Sequence, residues 1–254
     1  MTVLETKGLT MRFGGLTAVS NFNLKLEKGE LVGLIGPNGS GKTTVFNMIT
    51  GFYRPTEGHI FLNGSEITGL RPDQVASLGI VRIFQNSRLF SELSVLENVL
   101  IGHHVRLRSS PFAAVFRAPG YVKQEDQAYD EATALLEGLG LLGVVSEVAG
   151  SLPYGLQRKL EVARALATKP SLLLLDEPAT GMSAEETSEM MNFILGVRDD
   201  FDMTILLIEH HMRVVMGICE RMAVLNYGKT IAKGNPEEIQ NNPDVIEAYL
   251  GAEA

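Results

Sequence analysis

Gly36-Pro37-Asn38-Gly39-Ser40-Gly41-Lys42-Thr43, followed by Thr44, sets glycines, a lysine and a hydroxyl at the spacing of a phosphate-binding loop. Glycines permit positive backbone torsions and keep side chains out of the way, so successive amide N–H groups can turn toward anionic oxygens. Lys42 would add a full charge near the β- and γ-phosphates of a nucleoside triphosphate, and the Thr43 hydroxyl is the expected magnesium ligand. A second reactive group is Asp176-Glu177, delivered at the end of Leu172-Leu173-Leu174-Leu175. Acids at a strand end are ordinarily just solvated; with a phosphate loop in the same chain they acquire roles. Asp176 is expected to hold Mg²⁺ through water, and Glu177 to polarise the attacking water. Strand alternation would point the two side chains to opposite faces, in keeping with different roles.

These groups need elements to hold them. Leu31 to Ile35 is a short apolar run that stops at the glycine loop, and Thr43 to Thr50 reads as the helix that follows. The loop therefore lies between strand and helix, where a helix N-terminus adds partial positive charge. Leu172 to Leu175 reads as a buried parallel strand, and the carboxyl ends of such strands are where open α/β sheets place ligands. Thr204 to Ile208 and Met222 to Leu225 read as further strands, with a helix around Ala184 to Val197 before them, so a parallel sheet is expected. Strands are also expected at Val3 to Phe13, at the alternating Phe22, Leu24 and Leu26, at His59 to Leu62 before Asn63-Gly64, and at Ile80 to Phe84 before Gln85. The middle, Leu93 to Thr168, is helical in period. Ala128, Ala132, Leu135, Leu136 and Leu139 share one face, as do Leu156, Leu160, Ala163 and Ala167. Ser109-Ser110-Pro111 and Ala118-Pro119-Gly120 read as loops within it.

Composition narrows the function classes. The 254 residues suit one large domain or a core with a lobe attached. A net charge of −8 offers no general field for nucleic acid. One stretch, Val99 to Gln124, carries Arg106, Arg108, Arg117 and Lys123 and no acid; it reads either as a solvated face or as a surface for a membrane or a partner loop. The single cysteine, Cys219, rules out an intrachain disulfide and fits a reducing compartment. The opening MTVLETKGLTMRF has no basic region followed by an apolar stretch, and no run approaches about 18 apolar residues, so neither a signal peptide nor a membrane span is expected. The adjacent pairs His103-His104 and His210-His211 would point apart, which makes neither a chelate.

Further positions carry a family resemblance. Gln85 ends a strand, Leu152-Pro153-Tyr154-Gly155-Leu156-Gln157 opens a helix before the acidic strand, Ala179-Thr180-Gly181-Met182 follows it, and His210 ends the next strand. In this order they resemble the Q-loop, signature loop, D-loop and switch histidine of the ATP-binding-cassette ATPases, over essentially the whole chain. MRFGGLTAV, IGPNGSGKTTVFNMITGFY, LLIEHHM, NNPDVIEAYLG and the Tyr-Gly of the signature are similar to the ATPase subunits of bacterial branched-chain amino acid importers. The resemblance implies a P-loop NTPase fold of α/β class, with a parallel sheet, an antiparallel β subdomain, a helical lobe inserted over about 88–168 and a C-terminal helical tail over about 235–254. It implies ATP and Mg²⁺ as ligands, with Gly36 to Thr44 on the phosphates and Thr43, Gln85 and Asp176 about the metal. Phe13 would stack on adenine, Gln85 would reach the nucleophilic water, and His210 would contact the γ-phosphate. It also implies that ATP is sandwiched between the P-loop of one protomer and the signature loop, here Pro153 and Gly155, of another. Partners would be a second ABC ATPase subunit, identical or not, transmembrane permease subunits and, indirectly, an extracytoplasmic solute-binding protein. The implied location is cytoplasmic, on the inner face of the cell membrane.

One departure matters. The wider family has Leu-Ser-Gly-Gly-Gln where this chain has Leu152-Pro153-Tyr154-Gly155-Leu156. Proline has neither the serine hydroxyl nor an N–H, so a weakened signature face is expected, with Gly155 and the helix N-terminus still able to meet phosphate. Other readings are a related urea or amide importer, a non-transport ABC ATPase, and a P-loop kinase. Non-transport relatives typically carry two cassettes or a long coiled-coil insertion, which this chain lacks, and a kinase leaves the signature and switch positions unexplained.

Overall fold

The computed structural model describes residues 1–85, 88–104, 119–209 and 212–250 of the chain. They divide into two units, one of residues 1–85 and 171–254 and the other of residues 86–170.

The first unit opens with two long strands, β1 (Thr2–Phe13) and β2 (Leu16–Glu27), which pair antiparallel. β3 (Leu31–Ile35) leads through the glycine loop into α1 (Lys42–Ile49), followed by β4 (Glu57–Leu62), β5 (Ser65–Glu66), α2 (Pro72–Ser77) and β6 (Ile80–Ile83). The first sheet is antiparallel, in the order β2-β1-β4-β5.

The second unit holds three helices, α3 (Val95–His104), α4 (Pro119–Gly138) and α5 (Tyr154–Ala167). Ala132, Leu136, Leu160 and Ala163 are buried there, on the two faces that the helical period marks. Pro119 and Gly120, expected as a loop, instead open α4. Proline suits a first helical turn, because its missing N–H would have no intrahelical acceptor anyway and its φ is already helical. Ala118 and Ser109-Ser110-Pro111 lie outside the described residues, as do Arg106, Arg108 and Arg117.

The chain then returns to the first unit with β7 (Leu172–Asp176), α6 (Ala184–Asp200), β8 (Thr204–Ile208), α7 (Met212–Ile218), β9 (Arg221–Asn226), β10 (Lys229–Gly234), α8 (Pro236–Gln240) and α9 (Pro243–Leu250). α6 begins where it does because Ser183 and Glu186 cap each other's backbone N–H groups, at 3.2 and 2.8 Å. The second sheet runs β10-β9-β3-β8-β7-β6; all neighbours are parallel except the edge pair β10–β9. Every residue of β3, β7 and β8 is buried, as continuous apolar runs in a parallel sheet require.

α1 has 8 residues, too few to hold its shape by propensity alone. Its Val45, Phe46, Met48 and Ile49 join a core shared with Leu4, Phe22 and Leu26 of the first sheet and Leu34, Leu174 and Leu206 of the second. Packing thus fixes the helix, and the helix fixes the loop before it.

Candidate nucleotide site

Three segments singled out in the sequence leave the second sheet at the carboxyl ends of parallel strands, and a fourth lies just past β8 in the sequence. The glycine loop follows β3, Gln85 follows β6, Glu177 follows β7, and His210 comes two residues after β8. His210 and His211 lie outside the described residues. Open α/β sheets bind ligands at this edge, because loops of several strands converge there on helix N-termini.

The loop's shape depends on glycine at its first position. Gly36 has φ 148°, and a Cβ there would sit 2.0 Å from the carbonyl oxygen of Leu225, so any other residue would collide with β9 backbone. By helix geometry the amides of Lys42, Thr43 and Thr44 have no carbonyl a turn earlier within α1. All three residues line a cavity of about 420 Å³, together with Asn38, Gly39, Ser40, Leu16 to Ala18, Glu177, Tyr227 and Gly228. Lys42 is buried, and its Nζ donates to the carbonyl oxygens of Gly36 at 2.7 Å and Pro37 at 2.9 Å. Burial lowers its pKa, and the nearby charges of Glu177 and Asp176 oppose that shift. The two carbonyls thus hold the ammonium group of a residue that lines the cavity.

The acids are arranged differently from the alternation expected of a strand. β7 ends at Asp176, and Glu177 adopts a left-handed backbone, φ 48°, so its direction is set by a turn and not by the pleat. Gln85 donates through Nε2 to Glu177 Oε2 at 3.0 Å, and the Thr180 hydroxyl donates to the same oxygen at 3.2 Å. Asp176 instead meets Arg82, whose NH2 lies 2.5 Å from Oδ2, with the two side chains 5% and 10% exposed. The other arm of Arg82 donates to Asn47 Oδ1 of α1 at 2.6 Å, and its guanidinium stacks 4.6 Å from the Phe84 ring centroid. Sequence reasoning missed Arg82 and Asn47, and it placed Thr180 in the D-loop without its contact to Glu177. Only Arg82 left a signal, a charge inside the apolar run Ile80 to Phe84.

The oxygen donors at hand, the Thr43 hydroxyl, the Asp176 carboxylate and the Gln85 amide, are hard ligands suited to Mg²⁺. Among the described residues no group of three or more His, Cys, Asp or Glu side chains could hold a metal by itself. Mg²⁺ characteristically takes few protein ligands and completes its shell with phosphate oxygens and water, so the residues present fit it.

Phe13 closes β1, is 43% exposed, and packs edge-on against Tyr53 with ring centroids 5.3 Å apart. It is not among the residues lining the cavity; Leu16 to Ala18, a few residues on, are. In the second unit, Pro153 is the N-cap of α5 and supplies no side-chain cap. A Cβ on Gly155 would meet nothing within 4 Å, which leaves its backbone open to close approach. Behind them Arg158 and Glu161 form a buried ion pair at 2.7 Å, and Glu161 accepts from the backbone N–H of Arg88.

Residues 19–180 match the family model described as ABC transporter, and residues 229–254 match that described as branched-chain amino acid ATP-binding cassette transporter. The chain is similar to the high-affinity branched-chain amino acid transport ATP-binding protein LivG of Escherichia coli (strain K12), 49% identical with 98% of each chain covered. It is 48% identical, over 98% of each chain, to the corresponding protein BraF of Pseudomonas aeruginosa. Among solved structures it resembles an ATP-binding cassette of an ABC transporter in its ADP conformation, with a TM-score of 0.86, 32% identity and 99% of each chain covered.

Proposed function

The chain belongs to the ABC transporter family, and from that footing we propose that it binds MgATP and hydrolyses it to drive a transporter whose membrane-spanning parts are other polypeptides. The observation that carries this reading is the lysine and the carboxylate that border one cavity: Lys42, and Glu177 aimed by Gln85 and Thr180. Among the described residues no helix is long and apolar enough to cross a membrane, which agrees with a subunit that works beside permease subunits at the inner face of the membrane.

In this reading the amides of the glycine loop and Lys42 take up the triphosphate. Lys42 exchanges the carbonyls of Gly36 and Pro37 for phosphate oxygens, which are better partners for a buried ammonium. Thr43, Asp176 and Gln85 would hold Mg²⁺, which would neutralise charge on the phosphates. Glu177 accepts a proton from the attacking water, and Gln85 positions both. Phe13 stacks on adenine and His210 reaches the γ-phosphate. Pro153 and Gly155 serve the site of a second ATPase subunit, since a single chain brings one loop of each kind.

The relatives' names support branched-chain amino acids as the transported substrate; delivery by an extracytoplasmic binding protein is part of the same proposal. In the assembled transporter, Glu177→Gln should lower turnover at least about a hundredfold while leaving MgATP binding intact. Retained turnover would remove Glu177 from its role. Stimulation of the wild-type complex by leucine, isoleucine or valine with the binding protein tests the substrate, and silence to all three would discard it.

A further inference from the structure

We propose that Tyr227 contacts the bound nucleotide, its ring packing on the nucleoside end of the triphosphate held in the glycine loop; this inference rests on the nucleotide site described above. β9 ends at Asn226 and β10 begins at Lys229, so Tyr227 and Gly228 form a two-residue hairpin turn. Their φ values are 45° and 76°, the pair of left-handed residues of a type I′ turn. Asn-Gly is the relaxed choice for such a turn, and a bulky aromatic at its first position is held in a conformation that disfavours it. The fold gains nothing visible in return, because the side chain is 87% exposed. A strained, solvent-facing aromatic on a rigid turn points to function.

The turn is seated on the phosphate loop. Gly228 N donates to Ser40 O at 2.9 Å, and Ser20 N donates to Gly228 O at 2.8 Å. A Cβ on Gly228 would lie 2.5 Å from the Ala18 carbonyl oxygen, so the hairpin tip and β2 are in close contact. Tyr227 thereby lines the same cavity as Lys42 and Thr43. Phosphate groups are matched by the amides and Lys42. What Leu16 and Tyr227 add to the cavity wall is apolar and aromatic surface, which suits a sugar and base and offers little to an inorganic anion. Phe13 is occupied edge-on with Tyr53, so Tyr227 is a second ring, supplied from the far end of the sequence.

The test uses the full chain, titrated with MgATP and separately with magnesium tripolyphosphate, which has no nucleoside. Tyr227→Asn should weaken ATP binding at least about fivefold, the low end of base–aromatic stacking, and leave tripolyphosphate affinity unchanged. Its melting temperature should not fall, because asparagine suits the turn. Tyr227→Phe, which keeps the ring, should retain ATP affinity. Unchanged ATP affinity in Tyr227→Asn overturns the proposal, and so does equal weakening of both ligands, which would mean that the turn acts only on the shape of the loop. Wild-type protein that binds neither ligand overturns the site itself and this inference with it.

Discussion

Asp176 and Glu177 are neighbours in sequence, but different partners hold them, and that separation would let one serve a metal and the other a water, as proposed. Arg82 stands opposite Leu174 in the β6–β7 ladder, with Asp176 two residues further along the same face. From there its guanidinium spans Asp176 and Asn47, tying the acidic strand to the helix that follows the phosphate loop. Removing one partner of a buried ion pair strands the other charge, at a cost of about 3–5 kcal/mol. Arg82→Met should therefore destabilise the chain by about that amount in denaturant unfolding. Adding Asp176→Asn should recover part of the loss, because the two effects are coupled. Strictly additive effects would show that the pair is not an energetic unit. The placement of the glycine loop after β3 and of the acids at the end of β7 was legible in the sequence, because short apolar runs lead into both. Arg82 was not, nor was the bond from Thr180 to Glu177, since these exist only through partners distant in the chain or across a turn.

Elements were legible where their period was long and their faces apolar. The parallel strands, α1, α4 and α5 all follow patterns visible in the sequence, while the β9–β10 hairpin did not announce itself, because Tyr227-Gly228 replaces the usual turn residues. The pleat argument for Asp176 and Glu177 failed because the strand ends between them. α5 poses the sharpest question at this scale, since its N-cap is Pro153 and no side chain caps it. Serine there would accept from an amide of the first turn, worth about 1 kcal/mol to the helix. Its hydroxyl would also donate to a γ-phosphate in the partner's site, and a donor to a charged acceptor is worth about 1.5–3 kcal/mol. Pro153→Ser in the assembled transporter should thus tighten ATP binding about tenfold and raise turnover. Unchanged affinity and turnover would mean that the proline costs the signature loop nothing.

At the scale of the whole molecule, the unit of two sheets carries the phosphate loop, Gln85 and the acids, and the helical unit carries the signature loop. On the proposed function such a chain would bring the grip on the triphosphate and half of what closes over it, so hydrolysis is expected of the assembled pair and nucleotide binding of the single chain. The proposed grip is a lysine ammonium and the backbone amides of the glycine loop at the carboxyl edge of a parallel sheet. Calorimetric titration of the purified chain with MgATP measures it directly. A saturable one-to-one heat in the wild type, weakened at least about tenfold by Lys42→Ala, which removes a charge-assisted contact, is the expected result. No heat from folded wild-type protein, or a Lys42→Ala variant that binds just as tightly, would contradict it.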